Sequence, residues 1–177
     1  MSDDKRRGWG VRQPELFGNH GAILSPCRQY RYTLWRTWDC TKGTCLFIGL
    51  NPSTADERED DPTIRRCVSF AKSFGCGRLM MANLFALRAT DPADMKRNAD
   101  PVGRDNDDWL RRLVGDAEIV IAAWGTHGGH LARDIFVRKL LGEIHCLGVT
   151  KKGFPRHPLY LSKETPLQAY TTTGGSK

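Results

Sequence analysis

The apolar positions of the chain fall into short stretches that predict β-strands. The unbroken run that begins at Cys45 is typical of a strand buried on both faces of a parallel sheet. Residues 30–38 differ, because Tyr30, Tyr32 and Leu34 occupy every second position, the pattern of a strand with two unlike faces. The predicted strands lie at residues 30–38, 44–50, 78–84, 118–124 and 144–147.

Apolar residues at helical spacing predict three helices between these strands. The first begins after Asp61, a favourable N-cap that is followed by proline, and it ends before Gly75. The second is predicted from the Asp100-Pro101 pair to about Val114, and the third covers about 128–141. Strands that alternate with helices of this length predict a three-layer α/β/α domain with a mostly parallel central sheet.

The residues between the first two predicted strands resemble a tight turn. Residues 39–43 combine Asp, Thr, Lys and Gly, and a turn of this kind commonly joins antiparallel neighbours. We therefore expect residues 30–38 and 44–50 to pair as an N-terminal antiparallel hairpin, which makes the sheet mixed.

The length of 177 residues suits one domain. Residues 1–26 mix glycine, proline and charge without periodicity, so we interpret them as a mobile or irregular N-terminal arm. Residues 27–170 are predicted to form the single domain. Residues 171–177, rich in threonine and glycine, are predicted to be a disordered tail.

The chain is basic, with a formal net charge of +7, which favours a polyanionic partner such as DNA. No apolar run reaches the length of a membrane span, and the N-terminal residues are charged rather than signal-like. We therefore expect a cytoplasmic monomer with no membrane partner.

The six cysteines do not have the spacing of a metal site or a disulfide framework. None of them forms a Cys-x-x-Cys pair, and Cys45 and Cys146 lie within apolar runs. We expect reduced thiols that are mostly buried, and neither a metal nor another cofactor.

Polar groups follow several of the predicted strands at their carboxyl ends. Asn51 ends the strand at 44–50, Asn83 ends the next, Trp124-Gly125 ends the third, and His157 follows the last. Because the carboxyl ends of parallel strands share one edge of a sheet, we expect these groups to line one cleft. The chain has no phosphate-binding lysine motif and no Gly-x-Gly-x-x-Gly. Taken singly, each residue also has a structural explanation, since Asn caps turns and a lone His is usually structural.

Four ordered motifs resemble those of the uracil-DNA glycosylase superfamily. Gly49-Leu-Asn-Pro-Ser resembles its first motif, G-Q-D-P-Y-H or G-I-N-P-G, and His157-Pro-Leu-Tyr-Leu-Ser resembles its second, H-P-S-P-L-S. Between them, residues 79–83 resemble the strand whose terminal Asn reads the base, and residues 119–125 resemble the apolar strand that ends in Trp-Gly. Runs such as Leu-Asn-Pro-Ser-Thr-Ala-Asp are more closely similar to a bacterial and phage family labelled only as a domain of unknown function.

The superfamily resemblance implies a glycosylase-like fold and an enzyme that hydrolyses the N-glycosidic bond of a nucleotide flipped out of DNA. It implies that Asn51 orients the attacking water, that His157 donates to the oxyanion on the base, and that Asn83 reads the base edge. The remaining implied contacts with the base are Gly49, Leu50, Pro52, Ser53, Phe85, Trp124 and Gly125. The implied contacts with DNA are Lys151, Lys152, Arg156, Tyr160, Leu161 and Ser162, with Leu161 beside Tyr160 as the wedge.

Some residues depart from the superfamily pattern. Ser53 replaces the tyrosine that excludes a 5-methyl group, so mismatched thymine or a 5-modified pyrimidine is as plausible a target as uracil. Phe85 is a candidate for base stacking by its position only. Asp56, within the acidic run 56–61, is a candidate general base, although helix capping and a solvated face explain that run as well.

Two other functions fit the same cleft. One is an N-glycosidase that acts on a free nucleoside or nucleotide, and the other is a non-catalytic module that binds DNA or a base. The positive charge favours DNA over a small molecule, and the pairing of Asn51 with His157 favours catalysis over binding alone.

Overall fold

The computed structural model describes residues 18–53, 55 and 58–171, and these form a mixed α/β structure around one seven-stranded sheet. The strand order is β1-β2-β4-β3-β5-β6-β7. The central strands β4, β3, β5 and β6 are parallel, whereas β1, β2 and β7 run antiparallel to their neighbours. The strands are β1 His20–Leu24, β2 Arg31–Thr37, β3 Thr44–Gly49, β4 Arg78–Asn83, β5 Ile119–Ala122, β6 His145–Cys146 and β7 Gln168–Ala169. The predicted fold class is thereby confirmed.

Helices cover both faces of this sheet. Helix α1 packs on one face, where Ile64, Cys67 and Phe70 join a buried apolar cluster with β3 and β4. The other face carries the remaining helices, which bury Met95, Leu110, Leu113 and Val137 against the sheet. The helices are α1 Pro62–Ser73, α2 Pro92–Arg97, α3 Asn106–Gly115 and α4 Arg133–Leu141, with 3-10 segments at Thr126–Ala132 and Pro158–Tyr160.

The register of β3 aligns the carboxyl ends of the central strands. Gly49 of β3 lies opposite Asn83 of β4, and Ile48 lies opposite Ala122 of β5. Residues just beyond these strands therefore meet at one edge of the sheet, as the sequence predicted.

The predicted hairpin between residues 30–38 and 44–50 is wrong. Strand β2 pairs antiparallel with β1 and β4, and β4 separates it from β3. The turn that follows β2 passes close to Gly77, just before β4. A Cβ atom at Gly77 would lie 1.8 Å from the Asp39 carbonyl oxygen, so only glycine fits there. An N-terminal antiparallel hairpin does exist, but it joins β2 to β1, a strand that lies within the predicted irregular arm.

Two predicted helix boundaries also differ. The first helix begins at Pro62 as predicted, and the Asp61 side chain accepts from the Ile64 amide at 2.8 Å. Asp100-Pro101, in contrast, forms a turn in which Asp100 accepts from the Gly103 amide, so α3 begins only at residue 106. The third predicted helix is interrupted because Leu131 and Ala132 adopt left-handed backbone angles.

The structure also bears on the cysteines, on membrane spans and on the two termini. Cys45, Cys67, Cys76 and Cys146 are buried, whereas Cys27 and Cys40 are exposed, and all are free thiols. Within the described ranges no helix is long and apolar enough to span a bilayer. The tail from residue 172 and the arm up to residue 17 lie outside the described residues.

Asn106 joins α3 to the end of β4 and provides a test of this architecture. Its buried amide donates to the carbonyl oxygens of Asn83 and Leu84 at 3.1 and 3.0 Å. We expect Asn106→Ala to lower the free energy of unfolding by about 1–3 kcal/mol, because a buried carbonyl loses its donor. Urea denaturation measures this loss. The exposed Asn98→Ala variant should lose less, and equal losses would contradict the assigned role.

Candidate functional site

A cavity of about 510 Å³ opens at the carboxyl ends of β3, β4 and β5. Its volume lies within the range of small-molecule sites. Nine of the residues predicted for the site line it, namely Gly49, Leu50, Asn51, Ser53, Asn83, Trp124, Gly125, His157 and Tyr160. The structure therefore brings together side chains that are up to about a hundred positions apart in the chain.

Backbone hydrogen bonds hold the loops around this cavity together. The Leu84 amide donates to the Gly49 carbonyl oxygen at 2.9 Å, which continues the β3–β4 pairing beyond the strands. The Gly125 amide donates to the Pro155 carbonyl oxygen at 3.0 Å, which fixes the end of β5 against the segment that leads to His157. The cavity wall is thus built from connected strand ends rather than from separate loops.

Asn51 is anchored by its own side chain. Its Nδ2 donates to the carbonyl oxygens of Pro52 and Ala89 at 3.1 and 2.7 Å, and the Ala89 amide donates back to Pro52 at 2.9 Å. The orientation of the amide is therefore defined. Its Oδ1 has no hydrogen-bond partner among the described residues, so this acceptor remains available to a ligand.

Asn83 and Trp124 each place a buried donor without a partner at the cavity, Asn83 through Nδ2 and Trp124 through Nε1. Only 1% of Asn83 is exposed, yet its Nδ2 has no hydrogen-bond partner in the described structure. A buried donor without a partner costs free energy, about 1–3 kcal/mol. Gly49 allows the close approach, because a Cβ there would lie 2.9 Å from Asn83 Oδ1. An amide held in this way beside a cavity is suited to bind a ligand.

His157 is fixed in one tautomer by its neighbourhood. The Leu159 amide donates to Nδ1 at 3.3 Å, so the ring proton of the neutral imidazole resides on Nε2. Burial lowers the pKa of His157 from its ordinary value of 6.5, and the negative charge of Asp61 offsets part of this effect. At neutral pH the ring is thus an uncharged donor through Nε2.

Three residues expected at the site lie elsewhere. Pro52 is buried and does not line the cavity, and Phe85 is fully buried in the core with its ring 5.6 Å from that of His130. Leu161 is 7% exposed and packs in the apolar cluster beneath α1. Stacking by Phe85 and wedging by Leu161 do not fit these placements, because both side chains already fill the core. Tyr160, in contrast, is 78% exposed beside the cavity.

The basic residues predicted to bind DNA lie next to the cavity in sequence but do not line it. Lys151 and Lys152 are exposed in a short loop closed by the bridge between Val149 and Pro155, and exposed Arg156 directly precedes His157. Ser162 is exposed, and its hydroxyl bonds the Glu164 carboxylate. Asp56, the candidate base, lies outside the described residues.

Three further charged or titratable residues line the cavity and were not predicted to do so. Arg31 is 2% exposed and donates to the Ala55 carbonyl oxygen at 2.5 Å. Asp61 was assigned only to helix capping, and His127 was not considered, although it bonds Lys96 at 2.9 Å through Nδ1. Their local patterns contain no signal for a site, because only the folded chain places them beside Asn51.

The segment that contains most of the cavity residues matches a known protein family. Residues 31–159 match the family described as a protein of unknown function (DUF1643), which is more than half of the 177 residues. The chain belongs to this family. Among the described residues that line the cavity, Tyr160 alone lies outside the segment matching DUF1643. Comparisons with curated proteins and with solved structures gave no match.

The described part of this DUF1643 protein contains no group of three or more His, Cys, Asp or Glu side chains that could hold a metal ion.

The protonation of His157 can be measured directly. We expect its titration midpoint to lie below 6.5, with the neutral ring protonated on Nε2, because burial disfavours the imidazolium. Long-range proton–nitrogen NMR spectra report both properties, and the His157→Gln variant assigns the signal. A midpoint at or above 6.5 would contradict the assignment.

The same shift makes folding pH-dependent. As the pH falls, the unfolded chain binds the His157 proton before the folded protein does. The stability is thus complete above the ordinary pKa of 6.5 and is lost as the pH falls through the lower pKa of the folded state. Urea denaturation at several pH values should show a smaller loss for His157→Gln than for the wild type.

Proposed function

We propose that this protein is a DNA glycosylase that hydrolyses the N-glycosidic bond of uracil or of a mismatched or 5-modified pyrimidine. The observation that carries the proposal is the buried, unpartnered Asn83 amide in the same cavity as Asn51 and His157. Each of the four motifs that resemble those of the uracil-DNA glycosylase superfamily contributes residues to this cavity, which supports the same reaction. The positive charge of the chain agrees with a DNA substrate.

Asn83 is assigned to base recognition. An amide presents one donor and one acceptor side by side, which complements the O4 acceptor and the N3–H donor of uracil or thymine. A flipped base would provide the partner that Nδ2 lacks within the protein. Ser53, also at the cavity, leaves space for a substituent at the 5-position.

His157 is assigned to stabilising the departing base. When the bond between C1′ and the base nitrogen breaks, its electron pair stays with the base and the charge spreads onto O2. The Nε2–H of a neutral imidazole can donate to this oxygen. One such donor, placed in advance in a site shielded from water, lowers the activation barrier by about 3 kcal/mol. The lowered pKa suits this role, because the ring delivers a hydrogen bond rather than a proton.

Asn51 is assigned to the attacking water. Because Nδ2 is held by Pro52 and Ala89, Oδ1 is the group that can accept from a water molecule beside C1′. The DNA around the flipped nucleotide is assigned to exposed groups near the cavity. Lys151, Lys152 and Arg156 would contact phosphates, and Tyr160 would fill the vacated stack in place of the buried Leu161.

The reaction can be tested with end-labelled duplexes that carry uracil opposite guanine, thymine opposite guanine, or 5-hydroxymethyluracil. We expect alkali-labile sites in at least one duplex, and a loss of about 100-fold or more in His157→Ala and Asn83→Ala. Gel electrophoresis after alkali measures cleavage. The exposed His20→Ala serves as the control, and it should match the wild type. No cleavage of any duplex would contradict the proposal, and release of base from free nucleosides alone would replace it with a nucleosidase.

The assignment of Tyr160 has its own test. Tyr160→Ala should lower the single-turnover rate and the fluorescence gain of 2-aminopurine placed beside the target, because the vacated stack stays unfilled. Tyr160→Phe should retain both, since it keeps the ring. An unchanged rate in Tyr160→Ala would remove the wedge role.

A further inference from the structure

The proposed hydrolysis leaves one proton without an acceptor. Water that attacks C1′ must lose a proton, and the Asn51 amide is too weakly basic to take it. Among the described residues that line the cavity, Asp61 is the one that carries a carboxylate. It directly precedes helix α1 as the N-cap.

The position of Asp61 is defined by the helix that it caps. Its Oδ1 accepts from the Ile64 amide at 2.8 Å, while Pro62 fixes the backbone of the first helical residue. The second carboxylate oxygen has no hydrogen-bond partner among the residues that the structure describes. This side chain is half-buried, so it is held in place while it remains open to the cavity.

Two observations connect Asp61 with the other polar groups of the cavity. The Asn83 amide is more than nine-tenths buried at the same cavity and lacks a partner for its donor. The charge of Asp61 also acts on the His157 ring and raises its pKa against the effect of burial. The carboxylate, the imidazole and the unpartnered amide all line the same cavity.

We propose that Asp61 is the general base of the reaction, an inference that rests on the proposed glycosylase function. The bond between C1′ and the base nitrogen breaks, and its electron pair leaves with the base as an anion. The water oxygen then bonds to C1′ of the oxocarbenium ion, and one water proton passes to the free oxygen of Asp61. The protonated Asp61 returns this proton through solvent to the base anion, which leaves as the neutral base, and the sugar keeps the hydroxyl.

Asp61→Asn separates the catalytic role from the capping role, because Asn caps a helix about as well as Asp. Asp91→Asn is the matched control. Asp91 also precedes a proline and caps a helix through the Ala93 amide at 2.8 Å, but it is exposed and does not line the cavity. Both variants should melt close to the wild type.

The decisive measurement is the single-turnover rate on whichever of the three duplexes the wild type cleaves. We expect Asp61→Asn to be slower by about 100-fold or more, and Asp91→Asn to be unchanged. Binding of Asp61→Asn to the same duplex at low temperature should be equal or tighter, because a negative charge near phosphates has been removed. Weaker binding would indicate a role in affinity and would overturn the inference.

The pH profile gives a second readout. The rate of His157→Gln should still fall on the acid side because the Asp61 carboxylate becomes protonated, and the double variant Asp61→Asn, His157→Gln should lack this fall. If the wild type cleaves DNA and Asp61→Asn cleaves it at the same rate, Asp61 is not the general base, whereas the proposed glycosylase function stands. If the wild type cleaves none of the three duplexes, both the glycosylase function and the role of Asp61 as general base are contradicted.

Discussion

The parallel pairing of β3 with β4 and β5 is the constraint on which the rest of the structure depends. These three strands end together, so the turns that follow them share one edge of the sheet. The apolar run of β3 is buried on both faces, between β4 and β5. The observed register places Gly49 opposite Asn83, and the cavity forms just beyond this pair.

Polar groups at this edge are held by the backbone around them rather than by each other. Asn51 is fixed by the carbonyl oxygens of Pro52 and Ala89, and His157 is fixed by the amide of Leu159. This leaves the opposite side of each group for a ligand. Asn83 differs, because its donor is buried and unsatisfied. Its cost in stability is consistent with a group that the folded chain holds ready for an external partner.

The sequence predicted the parts of the fold that depend on local patterning. The apolar run at Cys45 and the Asp61-Pro62 cap were both confirmed, since burial and capping act over a few residues. The partner of β2 was predicted wrongly, because a turn-like segment does not reveal that β4 inserts beside it. Most of the cavity residues could be predicted from strand ends. Arg31 and the capping Asp61 could not be assigned to the cavity, because their patterns predict only a strand and a helix start. The burial of Phe85 and Leu161 likewise depends on tertiary packing that no local pattern contains.

Helix α1 contacts both walls of the cavity. Its first turn is capped by Asp61, and Arg66, one turn further on, donates to the Leu161 carbonyl oxygen at the end of the Pro158–Tyr160 segment. The helix is anchored through Cys67 and Phe70 in the core. The spacing between the carboxylate and the imidazole is consequently set by a rigid rod rather than by two independent loops. Small changes on the buried side of one helix would therefore resize the cavity without replacing Asn51, Asn83 or His157.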